Sequence, residues 1–119
     1  MTTLTLYGIK NCDTMKKAMR WLDDQGIAHE LHDYKKAGID TDTLGHWLQQ
    51  VGPEVLVNRR GTTWRRLSDD DKAACDSEDP SRIAAVLAAN TSVIKRPVLP
   101  AGERLLVGFK AEEWAEALL

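Results

Sequence analysis

A chain of 119 residues suffices for one hydrophobic core and is too short for several, and at this size no disulfide or metal is needed to hold it together. Its 16 Lys and Arg against 18 Asp and Glu leave a net charge of -2, which gives no bulk pull toward nucleic acid or a membrane surface. Met1 to Tyr7 lacks the basic and long apolar regions of an export signal, no run of about 18 apolar residues occurs, and Cys12 and Cys75 lie far apart in unlike surroundings, so a soluble cytoplasmic protein with two reduced thiols is expected.

Leu4 and Leu6 among β-branched threonines predict a first strand closed by Gly8. The period then changes: Met15, Ala18, Met19 and Leu22 share one helix face, and Gly26 is placed to end that helix in a left-handed cap. Ile27 to Tyr34 reads as a second strand, completing a βαβ unit with parallel strands and a right-handed crossover. Asp40 caps a helix carrying Leu44, Trp47, Leu48 and Val51, stopped by Gly52-Pro53. Ser68 with Asp71 resembles a capping box, and Asp79-Pro80 opens a further helix with Ile83, Val86 and Leu87 on one side.

Residues 41–90 therefore read as helical. Arg96 to Leu99 and Arg104 to Phe109 read as a hairpin around a turn at Pro100-Ala101-Gly102-Glu103, and Trp114, Ala117 and Leu118 mark a last amphipathic helix. The order is β-α-β, a helical block, then β-β-α, taken as one domain spanning 1–119 with a helical insertion at about 41–90.

Cys12 falls at the strand-to-helix turn. A thiol reacts as its thiolate, and a helix N-terminus, with unpaired N–H donors and partial positive charge, favours that anion; Lys10 nearby adds to the effect. A lone cysteine is often a small core residue, but Cys12 is flanked by Asn11 and Asp13 and lies outside the apolar stripe. Cys75 sits among Asp69, Asp70, Asp71 and Asp76, whose charges disfavour a thiolate, and it is given no role. Position 15 is methionine, so no resolving cysteine follows Cys12 three residues on, and an outside thiol such as glutathione must release an oxidised Cys12.

Three segments, Leu6 to Thr14, Asn58 to Leu67 and Ile94 to Pro97, together resemble the arsenate reductase and Spx family, and most closely its YffB-like branch. The resemblance spans essentially the whole chain. It implies an α/β thioredoxin-like fold with a mixed four-stranded sheet and an inserted helical block. It also implies that Cys12 is the redox or nucleophilic residue, that Arg96 faces the site beside a commonly cis bond to Pro97, and that Arg59 or Arg60 is a further site arginine. Arsenate reductases of the family carry another arginine before the final helix, where this chain reads Leu106-Val107-Gly108-Phe109, and usually a serine where Met15 stands. Spx-type regulators usually carry a cysteine pair at that point.

These departures leave a monothiol reductase linked to glutathione as the expected function. Arg96, one of Arg59 and Arg60, and Lys10 are the expected anchors for its carboxylates, while Asn11 either binds the same group or caps the helix. Arsenate reduction with glutathione and glutaredoxin, and an Spx-like regulatory protein without turnover, are the alternatives. The expected partners are glutathione and a disulfide-bonded or glutathionylated protein. His29, His32 and His46 lack metal-ligand spacing, and the run of arginines around Trp64 is followed at once by acids, so neither a bound metal nor a nucleic-acid stripe is expected. Trp47 reads as core, and Trp21, off the main stripe of its helix, as a border of the site or of a partner surface.

Overall fold

Leu6 and Gly8 point to the same side of the first strand, and the first helix packs there because its apolar stripe comes so near that a Cβ on Gly8 would collide with the Met15 sulfur. The computed structural model describes residues 3–10 and 12–119. In chain order the elements are β1 (Leu4–Gly8), α1 (Asp13–Asp24), β2 (His29–Asp33), α2 (Tyr34–Ala37), α3 (Thr41–Val51), α4 (Pro53–Leu56), α5 (Thr62–Arg66), α6 (Asp69–Cys75), α7 (Pro80–Ala89), a 3-10 turn (Thr91–Val93), β3 (Val98–Ala101), β4 (Arg104–Val107) and α8 (Ala111–Leu118). They form two compact units, Met1–Ala37 with Arg96–Leu119, and Gly38–Lys95.

The first unit carries a four-stranded mixed sheet in the order β2-β1-β3-β4. β1 and β2 run parallel, from Leu4 opposite His29 to Gly8 opposite Asp33, whereas β3 is antiparallel to both β1 and β4. With β-α-β preceding β-β-α, this is the thioredoxin-like topology the family resemblance implied. One face of the sheet buries Leu6, Leu99 and Leu106 with Met15, Ala18 and Leu22 of α1 and Trp114 of α8. Trp21 belongs to this packing as well. Its ring meets Phe109 and Trp114 at centroid distances of 6.3 and 6.1 Å, so its place off the main stripe reflects a broad aromatic contact with α8.

α1 ends as its sequence predicts. Gly26 takes a φ of 71°, its amide donates to the Asp23 carbonyl, and the Ile27 amide donates to that of Leu22, a Schellman closure. β2 is shorter than the expected Ile27 to Tyr34. Asp33 Oδ1 accepts from the Lys35 amide at 2.9 Å, which turns the chain where pairing with β1 runs out, and Tyr34 opens α2 instead of closing the strand. The hairpin is also tighter than its turn residues suggest: Pro100 and Ala101 remain in β3, and only Gly102, at φ 60°, and Glu103 form the loop. Gly108, at φ 76°, ends β4 before Phe109, and its carbonyl accepts from the Trp114 indole at 3.1 Å.

In the second unit the expected caps form. Asp40 accepts from the Thr43 amide at 2.7 Å, Ser68 from Asp71 at 3.1 Å and Asp79 from Ser81 at 3.0 Å. Leu44, Trp47 and Leu48 of α3 and Ile83, Ala84, Val86 and Leu87 of α7 are buried. The arginine-rich stretch includes the short helix α5, within the span expected to be helical, and its Trp64 packs against Ala74, Cys75 and Val86.

Candidate active site

Cys12 is the N-cap residue of α1, in extended conformation, with its carbonyl accepting the first helical bond from Lys16. The sequence does this simply: β1 ends at Gly8, where Met15 comes close, and the apolar stripe starts at position 15, so the helix start falls at Cys12. Cys12 is partly buried and free, as is the fully buried Cys75. The Cys12 side chain completes no regular capping bond, so the first amides of α1 are not taken up by a side-chain oxygen.

Burial is the largest single influence on the Cys12 thiol and raises its pKa. Against it act the Met15 amide, a hydrogen bond from the Arg96 side chain, the Thr14 amide and the Arg96 charge, and together they hold the thiol below its ordinary value. Arg96 is half-buried, and its peptide bond to Pro97 is cis, as the resemblance implied. Pro97 is buried, and its carbonyl accepts from the Gly108 amide at 2.8 Å, which fixes the strand behind the arginine to the end of β4. Thus Cys12 and Arg96, distant in sequence, meet in the first unit.

The remaining expected residues fall differently. Lys10 is exposed at the end of the strand-to-helix turn, and Asn11 lies outside the described residues. Arg59 and Arg60 belong to the second unit. Arg59 is engaged there: its guanidinium pairs with Asp76 at 2.9 Å and stands over the Trp64 ring at 5.4 Å. Arg60 makes no ion pair among the described residues, and it lines a groove of about 390 Å³ with Glu54, Asn58, Arg59 and Lys95. Burial first, then Asp76 and Asp71, push the Cys75 thiol above its ordinary value against the pull of Arg59, so its acidic surroundings act as expected but count for less than its burial. Among the described residues no group of three or more His, Cys, Asp or Glu is placed to hold a metal ion, and no helix is long and apolar enough to cross a membrane.

Tyr34 was given no role by its sequence. It is 2% exposed, its hydroxyl has no hydrogen-bond partner among the described residues, and the charge of Arg96 reaches it. Nothing in the local pattern distinguishes it from an ordinary strand-end tyrosine.

A model of the ArsC family matches residues 7–117. The solved structure of the YFFB (PA3664) protein is 47% identical, with a TM-score of 0.89, covering 98% of this chain and 100% of that one. An arsenate reductase (ArsC) related protein from Brucella melitensis is 45% identical with a TM-score of 0.72, covering 97% of this chain and 93% of that one. The global transcriptional regulator Spx of Streptococcus agalactiae is 24% identical over 112 residues, 92% of this chain and 79% of that protein. A match that runs from the first strand into the last helix rests on the whole fold and not on one cysteine: the chain belongs to the ArsC family.

Proposed function

We propose that this protein is a cytoplasmic, glutathione-dependent monothiol reductase. The observation that carries the proposal is the Cys12 thiol, placed as the N-cap of α1, touched by Arg96 and held below its ordinary pKa. Membership of a family with arsenate reductase related proteins supports thiol-based oxidoreductase chemistry in general. Glutathione enters because residue 15 is a fully buried methionine, leaving no resolving thiol next to Cys12 on α1.

The Cys12 thiolate attacks the glutathione sulfur of a glutathionylated protein. A Cys12–glutathione disulfide forms, the original disulfide breaks, and the protein sulfur leaves as a thiolate that takes up a proton. A second glutathione, as its thiolate, attacks the glutathione sulfur of that mixed disulfide, giving oxidised glutathione and returning the Cys12 thiolate. Arg96, with Pro97 shaping its corner, holds an anionic group beside the sulfur. Lys10 and Asn11 are assigned to an outer carboxylate of glutathione; of the two middle arginines, Arg60 is the one not engaged within its own unit, since Arg59 pairs with Asp76 and stands over Trp64.

Purified protein is given a glutathionylated peptide, glutathione and a coupled assay for oxidised glutathione, and in parallel arsenate with glutathione and glutaredoxin. The expected result is turnover of the peptide that disappears in Cys12→Ser. Turnover of arsenate alone would reassign the site to arsenate reduction, which the relationship to the Brucella melitensis protein favours as a second reading. A Cys12 that titrates like a free thiol and turns over neither substrate would favour a regulatory role like that named for the Streptococcus agalactiae relative.

A further inference from the structure

The charges along α1 run against the order a helix prefers. A helix start carries partial positive charge and its end partial negative charge, so acids stabilise the first turn and bases the last. α6 and α8 follow that order, with Asp69, Asp70 and Asp71 in the first turn of one and Glu112 and Glu113 in that of the other. α1 has Asp13 at its start, then Lys16, Lys17 and Arg20, and it ends on Asp23 and Asp24 with no base in its last turn. All three cations are exposed, and none makes an ion pair among the described residues. Arg20 follows Lys16 by four positions and Lys17 by three, so like charges also neighbour one another on the open side of the helix. Both features cost helix stability, and the packing of the buried face requires neither.

Strand register brings further cations to the same end of the sheet. β1 and β2 are parallel and finish together, Gly8 opposite Asp33. The chain leaves β1 toward Lys10 and Cys12, and it leaves β2 into α2, where Lys35 and Lys36 are exposed and without an ion pair among the described residues. Asp33 is turned onto the Lys35 amide. Against these cations stand Asp13 and, where α8 starts beside Lys110, Glu112 and Glu113, too few to cancel them. At the opposite end, where α1 finishes and β3 turns into β4, Asp23, Asp24 and Glu103 face solvent with Arg104. The first unit is therefore lopsided in charge along its strands, and the positive end holds the reactive thiol. Arg96 is the cation that acts on the sulfur itself, which leaves those of α1 and α2 to act on what approaches it.

We infer that the Cys12 end of the first unit is a docking surface for an acidic segment of the protein substrate, whose carboxylates face Lys16, Lys17 and Arg20 of α1 and Lys35 and Lys36 of α2. The inference rests on the reductase proposal above and names the substrate class: proteins whose glutathionylated cysteine lies in an acidic stretch. Acidic neighbours raise the pKa of such a cysteine, so its sulfur is a poor leaving group. Setting those neighbours against lysines and an arginine offsets the handicap and speeds encounter. Nucleic acid fits less well, because the chain carries a net charge of -2 and the rings of Trp21, Phe109 and Trp114 pack on one another instead of lying open for bases.

Peptides that alkylate Cys12 test the surface without calling on turnover. In a Cys75→Ala background Cys12 is the chain's one thiol, and it is reacted with iodoacetyl-capped peptides of equal length rich in glutamate, glutamine or lysine. Each reaction forms one sulfur–carbon bond as iodide leaves. The expected rate for the acidic peptide is about tenfold above that for the neutral one at low salt and within about twofold of it in about 0.5 M salt, with the basic peptide slowest. Lys16→Gln/Lys17→Gln/Arg20→Gln should abolish most of that advantage. Its rate and pH profile with uncharged iodoacetamide should stay within about twofold, and its melting temperature should be unchanged or higher because charges that oppose the helix are gone. Arg104→Gln, at the opposite end, should leave the advantage in place.

Equal rates for the three peptides, an advantage that survives high salt or the triple substitution, or one lost equally in Arg104→Gln would overturn the inference. So would a parallel fall in the iodoacetamide rate, which would make the cations tuners of the thiol, or a lower melting temperature, which would make them part of the fold. Stronger protection of Cys12 by a single-stranded oligonucleotide than by an uncapped acidic peptide would reassign the surface to nucleic acid. Ordinary free-thiol reactivity toward iodoacetamide would instead defeat the reductase proposal, and the peptide ratios would still report on docking.

Discussion

Three helices of the second unit, α3, α6 and α7, begin with Asp40, Ser68 and Asp79, and each of these oxygens accepts a bond from an amide of its own helix. The first helix of the chain begins with Cys12, which completes no such bond. The same orphan amides exist at all four starts, because geometry leaves the first N–H groups of any helix without an internal partner. In the second unit they are used for stability. In the first they are left to favour an anion on sulfur, so one backbone feature serves folding in one place and reactivity in another. The two thiols repeat the contrast: the helix start and Arg96 lower the pKa of Cys12, while burial and aspartates raise that of Cys75.

Exchanging the roles gives the largest effect. Cys12→Ser should lower turnover of a glutathionylated substrate at least about a thousandfold, while raising stability by about 1 kcal/mol because serine is a better N-cap. Cys75→Ala should do the reverse, leaving turnover intact and costing about 1 kcal/mol in denaturant unfolding. A Cys75→Ala protein that loses turnover would erase the distinction between the two thiols.

Arg96→Met sharpens it. Without the guanidinium the Cys12 thiol should move back up toward its ordinary value, and its alkylation at neutral pH should slow about tenfold as the thiolate fraction falls. The pH profile of Cys12 labelling in the wild type should rise below the range of an ordinary thiol, whereas the buried Cys75 should be labelled far more slowly in the folded protein at every pH.

The smallest effect concerns a cap that works for folding alone. The amide of Thr43, and then its side chain, hold the Asp40 carboxyl below its usual range. A depressed folded-state pKa means that the stabilisation is complete above the unfolded carboxylate pKa and is lost as pH falls through the folded one. Melting curves of wild type and Asp40→Ala should therefore differ at neutral pH and converge in acid.

Much of this arrangement is local and was legible in residue order. Strand, turn and helix around Cys12 follow from the change of period between Leu6 and Met15, and the caps at Asp40, Ser68 and Asp79 follow from side chains that reach their own backbone. The end of β2 was misplaced because an Asx turn at Asp33 outweighed the extended pattern running through Tyr34. Trp21 looked like a border residue because its partners, Phe109 and Trp114, lie at the other end of the chain.

Residue order by itself determined which sulfur stands at a helix start and which sits among acids, since both depend on neighbours a few positions away. Tertiary structure alone decided that Arg96 touches Cys12 and that the Tyr34 hydroxyl is buried near the same guanidinium. Those encounters join β1, α1, α2 and the start of β3, and no periodicity within any one segment encodes which side chains meet when a sheet brings distant segments together.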